Sequence, residues 1–410
     1  MTGLLRSWIE SANAPGSEFP LNNLPYGVFS TGGAPHCGVA IGDQIVDATA
    51  LEKDGILRPG TARDVLQEPA WNGFMALGKP AWTAYRAGLI SLLSEGADQT
   101  VRPYLVPASA ATLHMPFRVS EFTDFYASKH HAMNVGTMFR GSENALPPNW
   151  LHMTIGYNGR ASSIVISGTD VIRPHGQIMG ESGPHFAPTE RFDFELEIGA
   201  IVGQGSNEPL TVAQAFENIF GYVLLNDWSA RDIQAWEYQP LGPFQGKATA
   251  TTISPWIVTA EALEPFRCDT PAPDLPLLDH LRAPGPMLYD IALEAGLTPE
   301  GGHENTITRT NYAEMSYSSA QQLAHHTTSG CPMRVGDLLG SGTISGKEKG
   351  NRGSMLELSW GGAEPLVLMG GEERRFLEDG DRVTLRGHAE GDGFRVGFGE
   401  CTGTLRGARV

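Results

Sequence analysis

The apolar positions of this chain fall into many short runs with few long helical stretches. In the first part, PYGVFSTGG (25–33), HCGVAIGDQIVDATAL (36–51) and TVRPYLVPASAATLHMP (100–116) alternate or cluster briefly before Gly, Pro or Asn, and predict strands. WNGFMALGKPAWTAYRAGLISLLSEG (71–96) sets Trp82, Tyr85, Leu89, Leu92 and Leu93 at helical spacing. The text changes character near Met115–Arg118 without a polar linker, which predicts domains at 1–117 and 118–410. Beyond it, SSIVISGTDVI, FDFELEIGAIVG, IFGYVLLND, ISPWIVTA, SMLELSW and RVTLRGHA predict strands. LTVAQAFENIF predicts a helix capped by Thr211 with Ala213, Phe216 and Phe220 inward, and another helix is expected just after Asp227. The fold class is mainly β or α+β, with an irregular sheet in the larger domain.

Composition narrows the function. The 410 residues are 41% hydrophobic and 18% charged, ordinary for a globular chain, and 50 Gly with 28 Pro suit a turn-rich fold. A net charge of -17 without a basic block argues against nucleic acid or an anionic membrane as partner. The four cysteines, Cys37, Cys268, Cys331 and Cys401, form no CxxC pair, and reduced thiols in a cytoplasmic protein are expected. No signal peptide or spanning segment is read at the start.

Three segments carry candidate chemistry. In FDFELEIGAIVG, Phe192, Phe194, Leu196 and Ile198 share one strand face, while Asp193, Glu195 and Glu197 share the other. Glutamates two apart on one face stand roughly 7 Å apart, so they either face solvent or share a cation. GYVLLND runs from apolar strand into Asn226 and Asp227, and strand ends of this kind commonly line sites. Helix after it would set Arg231, Gln234 and Tyr238 on one face, with Asp227 or Ser229 as possible caps, and Lys247 follows a Gly/Pro turn. FTDFYASKHHAMNVGTMFRG adds Asp124, Tyr126, His130, His131, Asn134 and Arg140. Oxygen ligands without Cys suit Ca²⁺, Mg²⁺ or Mn²⁺, with no organic cofactor called for.

Taken together, FTDFYASKHHAMNVGTMFRG, FDFELEIGAIVG, NDWSARDIQAWEYQPLGPFQGKATATTISPWIV, LLGSGTISG and GSMLELSW resemble the fumarylacetoacetate hydrolase family, in family order over essentially the whole chain. The resemblance implies a small SH3-like N-terminal barrel, a larger mixed β-roll domain and a homodimer. It implies metal ligands at Asp124, Glu195, Glu197 and Asp227, with Lys247 and Thr251 beside a Ca²⁺ or Mg²⁺ ion. His131 matches the catalytic histidine and Glu357 the carboxylate that orients it. Arg231, Gln234 and Lys247 match groups that stabilise negative charge, and Tyr126, Arg140, Tyr157, Gln234, Tyr238 and Thr343 match substrate contacts. The implied reaction is hydrolysis of the carbon–carbon bond of fumarylacetoacetate in tyrosine and phenylalanine breakdown. Another acylpyruvate or β-diketo acid as substrate, or a non-catalytic metal-binding role, are the alternatives. The chain departs from the family at Lys129-His130-His131, which sets a second histidine beside the first. It departs again at Ser359-Trp360-Gly361-Gly362 and in the connection between Gly346 and Gly353.

Overall fold

The computed structural model describes residues 3–409. An N-terminal five-stranded antiparallel sheet takes the order Leu105–Pro107, Gln44–Asp47, His36–Ile41, Tyr26–Ser30, Thr112–His114. The stretch predicted as one helix divides into Asn72–Met75 and Lys79–Leu93, with Pro80 tolerated in the second helix's first turn. Ala48–Lys53, read as the tail of a strand, is helical because Asp47 caps it by accepting the amide of Ala50.

The larger region is built on a mixed sheet. Along it run Gly156–Asn158, Phe122–Phe125, Leu338–Gly340, Leu196–Val202, Ile219–Asp227, Thr251–Ile253 and Ile164–Ile166, with Val258–Thr259 also paired to Ile219–Asp227. A second sheet orders Asn305–Asn311, Ala292–Thr298, Arg382–Glu390, Arg395–Arg406 and Val171–Ile172. Strand thus outweighs helix, in the mixed class expected.

Both faces of the first sheet are covered. Tyr222 and Leu224 pack into the core beneath the second sheet, while Val223 and Leu225 join Tyr26, Trp71 and Phe74 of the N-terminal domain. Double burial explains the unbroken apolar run IFGYVLL. Among the described residues no helix is long and apolar enough to cross a membrane.

Several local expectations are corrected. SMLELSW is not a strand: Met355–Leu358 is a helix whose cap, Ser354, accepts the amide of Glu357. In the helix Val212–Asn218, Thr211 does cap, but Val212, Ala215 and Phe216 are buried, Ala213 is exposed, and Phe220 lies in the next strand. The helix after Asp227 is Arg231–Glu237; Ala230 stands at its start, so neither Asp227 nor Ser229 caps it.

Candidate active site

Register brings the acids together at one end of the sheet. Asp124 pairs with Gly340 in a parallel ladder, and Leu196 faces Asn226 in an antiparallel one. The start of Leu196–Val202 therefore lies beside the end of Ile219–Asp227. One carboxylate oxygen from each of Asp124, Glu195, Glu197 and Asp227 falls within 4.8 Å of the other three, and all four residues are buried. Neither face of FDFELEIG meets solvent, so the solvated alternative for its acids is excluded. Gly340 makes the cluster possible, since a Cβ there would lie 2.9 Å from Asp124 Oδ1 and 3.1 Å from Glu197 Oε2. Gly342, at φ +79°, donates its amide to Glu197 Oε2 at 3.0 Å.

Charge within the cluster is only partly offset. Lys247 Nζ donates to Glu195 Oε2 at 2.6 Å and to Asp227 Oδ2 at 2.7 Å. Thr251 Oγ1 donates to Asp227 Oδ1 at 2.7 Å, and Tyr157 to Asp124 Oδ2 at 2.8 Å. Burial works against ionisation of Glu195, but Lys247 and Arg231 outweigh it and hold the carboxyl low. Burial opposes the charge on Lys247 too, yet Asp227 and Glu195 keep its ammonium charged. As an ammonium without a lone pair, Lys247 offsets charge in the cluster through its bonds to Glu195 and Asp227.

Asp124 and Glu197 fare differently. Burial, then the Asp227 charge, pushes Asp124 well above the carboxylate range; burial, then Asp124, does the same to Glu197. Asp124 Oδ1 and Glu197 Oε1 are buried without a hydrogen-bond partner. Converging carboxylate oxygens with unused lone pairs fit a hard divalent cation.

The second constellation lies on the helix Lys129–Arg140, which Ser128 caps by accepting the amide of His131. His131 is buried with Nδ1 2.7 Å from Glu357 Oε2, while His130 is more exposed, 3.7 Å from Glu314 Oε2. Ser345 Oγ and Ser354 Oγ also donate to Glu357 Oε2, each at 2.9 Å, and Asn134 Nδ2 donates to Oε1 at 2.8 Å. Burial would raise this carboxyl, but His131 and the donors bring it below its ordinary range. The sequence alone does not single out these serines and gives Asn134 no role.

A third group faces both. Arg231 Nε donates to Asp193 Oδ2 at 2.8 Å and NH1 to Gln234 Oε1 at 3.1 Å, while NH2 lies 2.7 Å from Glu195 Oε1. A cavity of about 470 Å³ opens onto Asp124, Glu195, His131, Arg231, Gln234 and Lys247. Tyr126, Arg140, Tyr157, Tyr238 and Thr343 line it as well. The Arg140 guanidinium is held by the carbonyls of Asn144 and Ala145, and Thr343 Oγ1 is buried without a partner. Every residue singled out by the resemblance thus belongs to one cavity wall or to the shell behind it; Glu197, Asp227, Thr251 and Glu357 stand in that shell.

A cation-competent acid cluster beside a histidine–carboxylate pair defines a class of site suited to metal-assisted hydrolysis. Two family profiles match: "Fumarylacetoacetate (FAA) hydrolase C-terminal" over residues 121–406 and "Fumarylacetoacetase N-terminal" over 22–116. The chain belongs to the fumarylacetoacetate hydrolase family. It is 48% identical to the fumarylacetoacetase of Arabidopsis thaliana, covering 98% of each chain. It is 48% identical to that of Homo sapiens (96% of this chain, 97% of the other) and 50% to that of Caenorhabditis elegans (95% and 96%). Its fold resembles a fumarylacetoacetate hydrolase from psychrophilic Exiguobacterium antarcticum at TM-score 0.54 and 16% identity, covering 94% of this chain and 100% of that one. Maleylpyruvate hydrolase from Sphingobium sp. SYK-6 gives 0.52 and 16% at the same coverage.

Proposed function

We propose that this protein hydrolyses the carbon–carbon bond of fumarylacetoacetate, giving fumarate and acetoacetate. The observation that carries the reading is the buried His131–Glu357 pair opening on the same cavity as the acid cluster. Full-length similarity to curated fumarylacetoacetases supports the substrate.

With Nδ1 turned to Glu357, His131 keeps Nε2 for the proton of an attacking water. Glu357, ionised and held by three further donors, fixes the tautomer and steadies the imidazolium that forms. Arg231, Gln234 and Lys247 supply N–H donors to the developing oxyanion. Gln234 accepts from Arg231 through Oε1, which leaves its NH₂ to face the cavity. Arg140, Tyr126, Tyr157, Tyr238 and Thr343 bind the acidic substrate, giving an acidic chain its local anion site.

Asp124, Glu195, Glu197 and Asp227 would hold Ca²⁺ or Mg²⁺, with Mn²⁺ also suited; Lys247 and Thr251 stand behind them. When bound, the ion supplies Lewis-acid polarisation of a carbonyl and a counter-charge for the leaving enolate. The same reading carries a domain division at 117/118, a homodimer, a cytoplasmic location and a place in tyrosine and phenylalanine breakdown.

The test is loss of fumarylacetoacetate's ultraviolet absorbance on mixing with purified protein and Mg²⁺ or Ca²⁺. Unchanged absorbance refutes the substrate. A higher kcat/KM for another acylpyruvate in a small panel would move the assignment to that compound.

A further inference from the structure

Asp193 lies on the short strand Phe192–Asp193, paired with Ser229–Ala230, and is fully buried. Its carboxylate holds two elements at once. Oδ1 accepts the amide of Met355 at 2.7 Å, and Oδ2 accepts the amide of Leu356 at 3.0 Å. Oδ2 also accepts Arg231 Nε at 2.8 Å. The two amides open the helix Met355–Leu358, where no intrahelical acceptor exists for them. That helix carries Glu357. One buried carboxylate therefore ties the Arg231 guanidinium to the backbone that places the partner of His131.

Capping the helix alone would not require this arrangement, since the amides need acceptor oxygens and no cation. The guanidinium is hydrogen-bonded at two nitrogens, to Asp193 from Nε and to Gln234 from NH1, and its NH2 stands in ion-pair contact with Glu195. A planar fork fixed in this way has one orientation. Without Asp193, Nε would lose its acceptor and only Gln234 and Glu195 would remain to orient the guanidinium.

We propose that Asp193 is a positioning residue that sets Arg231 and Glu357 in register, so that the oxyanion donor and the base His131, which Glu357 orients, act on one substrate geometry. The inference rests on the roles given above to those two residues.

The experiment is a double-mutant cycle between Asp193→Asn and Arg231→Ala, run on whichever β-diketo acid the wild type turns over best. A preference for a compound other than fumarylacetoacetate would thus overturn the substrate reading alone. Asp193→Asn keeps the size but removes the charge that holds Arg231, and its amide NH₂ opposes the Met355 amide when its oxygen stays on Arg231 Nε and Leu356. In the otherwise wild-type enzyme it is expected to lower kcat by about 10²-fold, with KM and Mn²⁺ affinity within about threefold. In the Arg231→Ala background it should cost less than about fivefold. Equal losses in the two backgrounds, or undiminished kcat, would overturn the proposal. Arg231→Lys covers the case in which Asp193→Asn does not fold. It leaves Asp193 in place but cannot reproduce the planar fork bonded to Asp193 and Gln234, so kcat should fall with unchanged circular dichroism; full kcat would overturn the proposal.

Discussion

Glu357 and Glu197 are both completely buried glutamates beside the same cavity, and their surroundings are opposite. Four side chains engage the two oxygens of Glu357, among them a histidine able to take a positive charge. Glu197 receives the Gly342 amide on one oxygen, nothing on the other, and has acidic neighbours. Its carboxyl is pushed up, while that of Glu357 is brought down. A buried carboxylate is costly unless its charge and lone pairs are answered. Glu357 is answered from within the chain, which suits the orienting role proposed for it. Glu197 and Asp124 each keep one oxygen unanswered, and in the proposed reading a cation supplies the answer.

This contrast can be broken in several ways. The largest expected effect is from chelation: removing divalent ions should abolish turnover, and Mg²⁺, Mn²⁺ or Ca²⁺ should restore it. Full activity in chelator would deny the acid cluster its part.

Glu357→Gln should lower kcat by about 10²-fold with KM little changed, read from steady-state kinetics. It should also destabilise the fold by about 1–3 kcal/mol, with or without metal, because donors are left unpaired. The folded-state carboxyl is held below its unfolded value, so this stabilisation is present above about pH 4.5 and lost as pH falls through the folded value. Denaturation midpoints for wild type and Glu357→Gln should therefore converge in acid; a gap that widens there would contradict the network.

Glu197→Gln sharpens the comparison because the chemical change is the same. In chelator its melting temperature should equal or exceed that of the wild type, since an unanswered acid is removed. With Mn²⁺ present the wild type should be the more stable, through ion binding to the folded state. A metal-independent loss like that of Glu357→Gln would mean Glu197 is held by the chain.

Asn134→Ala is the smallest change. One donor to Glu357 is lost, for about 0.5–1.5 kcal/mol of stability and a fall of several-fold in kcat. No change in either would remove Asn134 from the network.

How far the sequence discloses these two groups follows from their local physics. The acids of FDFELEIG were legible because a strand's period of two sets Glu195 and Glu197 on one side. Asp227 stood out at the end of an apolar run. Their burial was not legible, since it depends on the N-terminal domain covering the sheet's far face. Lys247, after a Gly/Pro turn, carries no local sign of burial because its partners, Glu195 and Asp227, are distant in sequence. Around Glu357 the alternation in SMLELSW imitates a strand, while the overriding signal was Ser354 three residues before Glu357, a helix-start pattern. Asn134, one helical turn after His131, could have been found once Lys129–Arg140 was taken as helix. Asp193 was visible only as one more acid on a face.

In the proposed reading, proton transfer and cation binding belong to separate groups around one cavity, and His131→Ala should part the two. Turnover of fumarylacetoacetate and Mn²⁺ affinity by calorimetry would be measured on the same folded preparation. The expected result is a fall in kcat of about 10²–10⁴-fold with Mn²⁺ affinity within about threefold of the wild type. Retained turnover, or loss of cation binding along with activity, would contradict it.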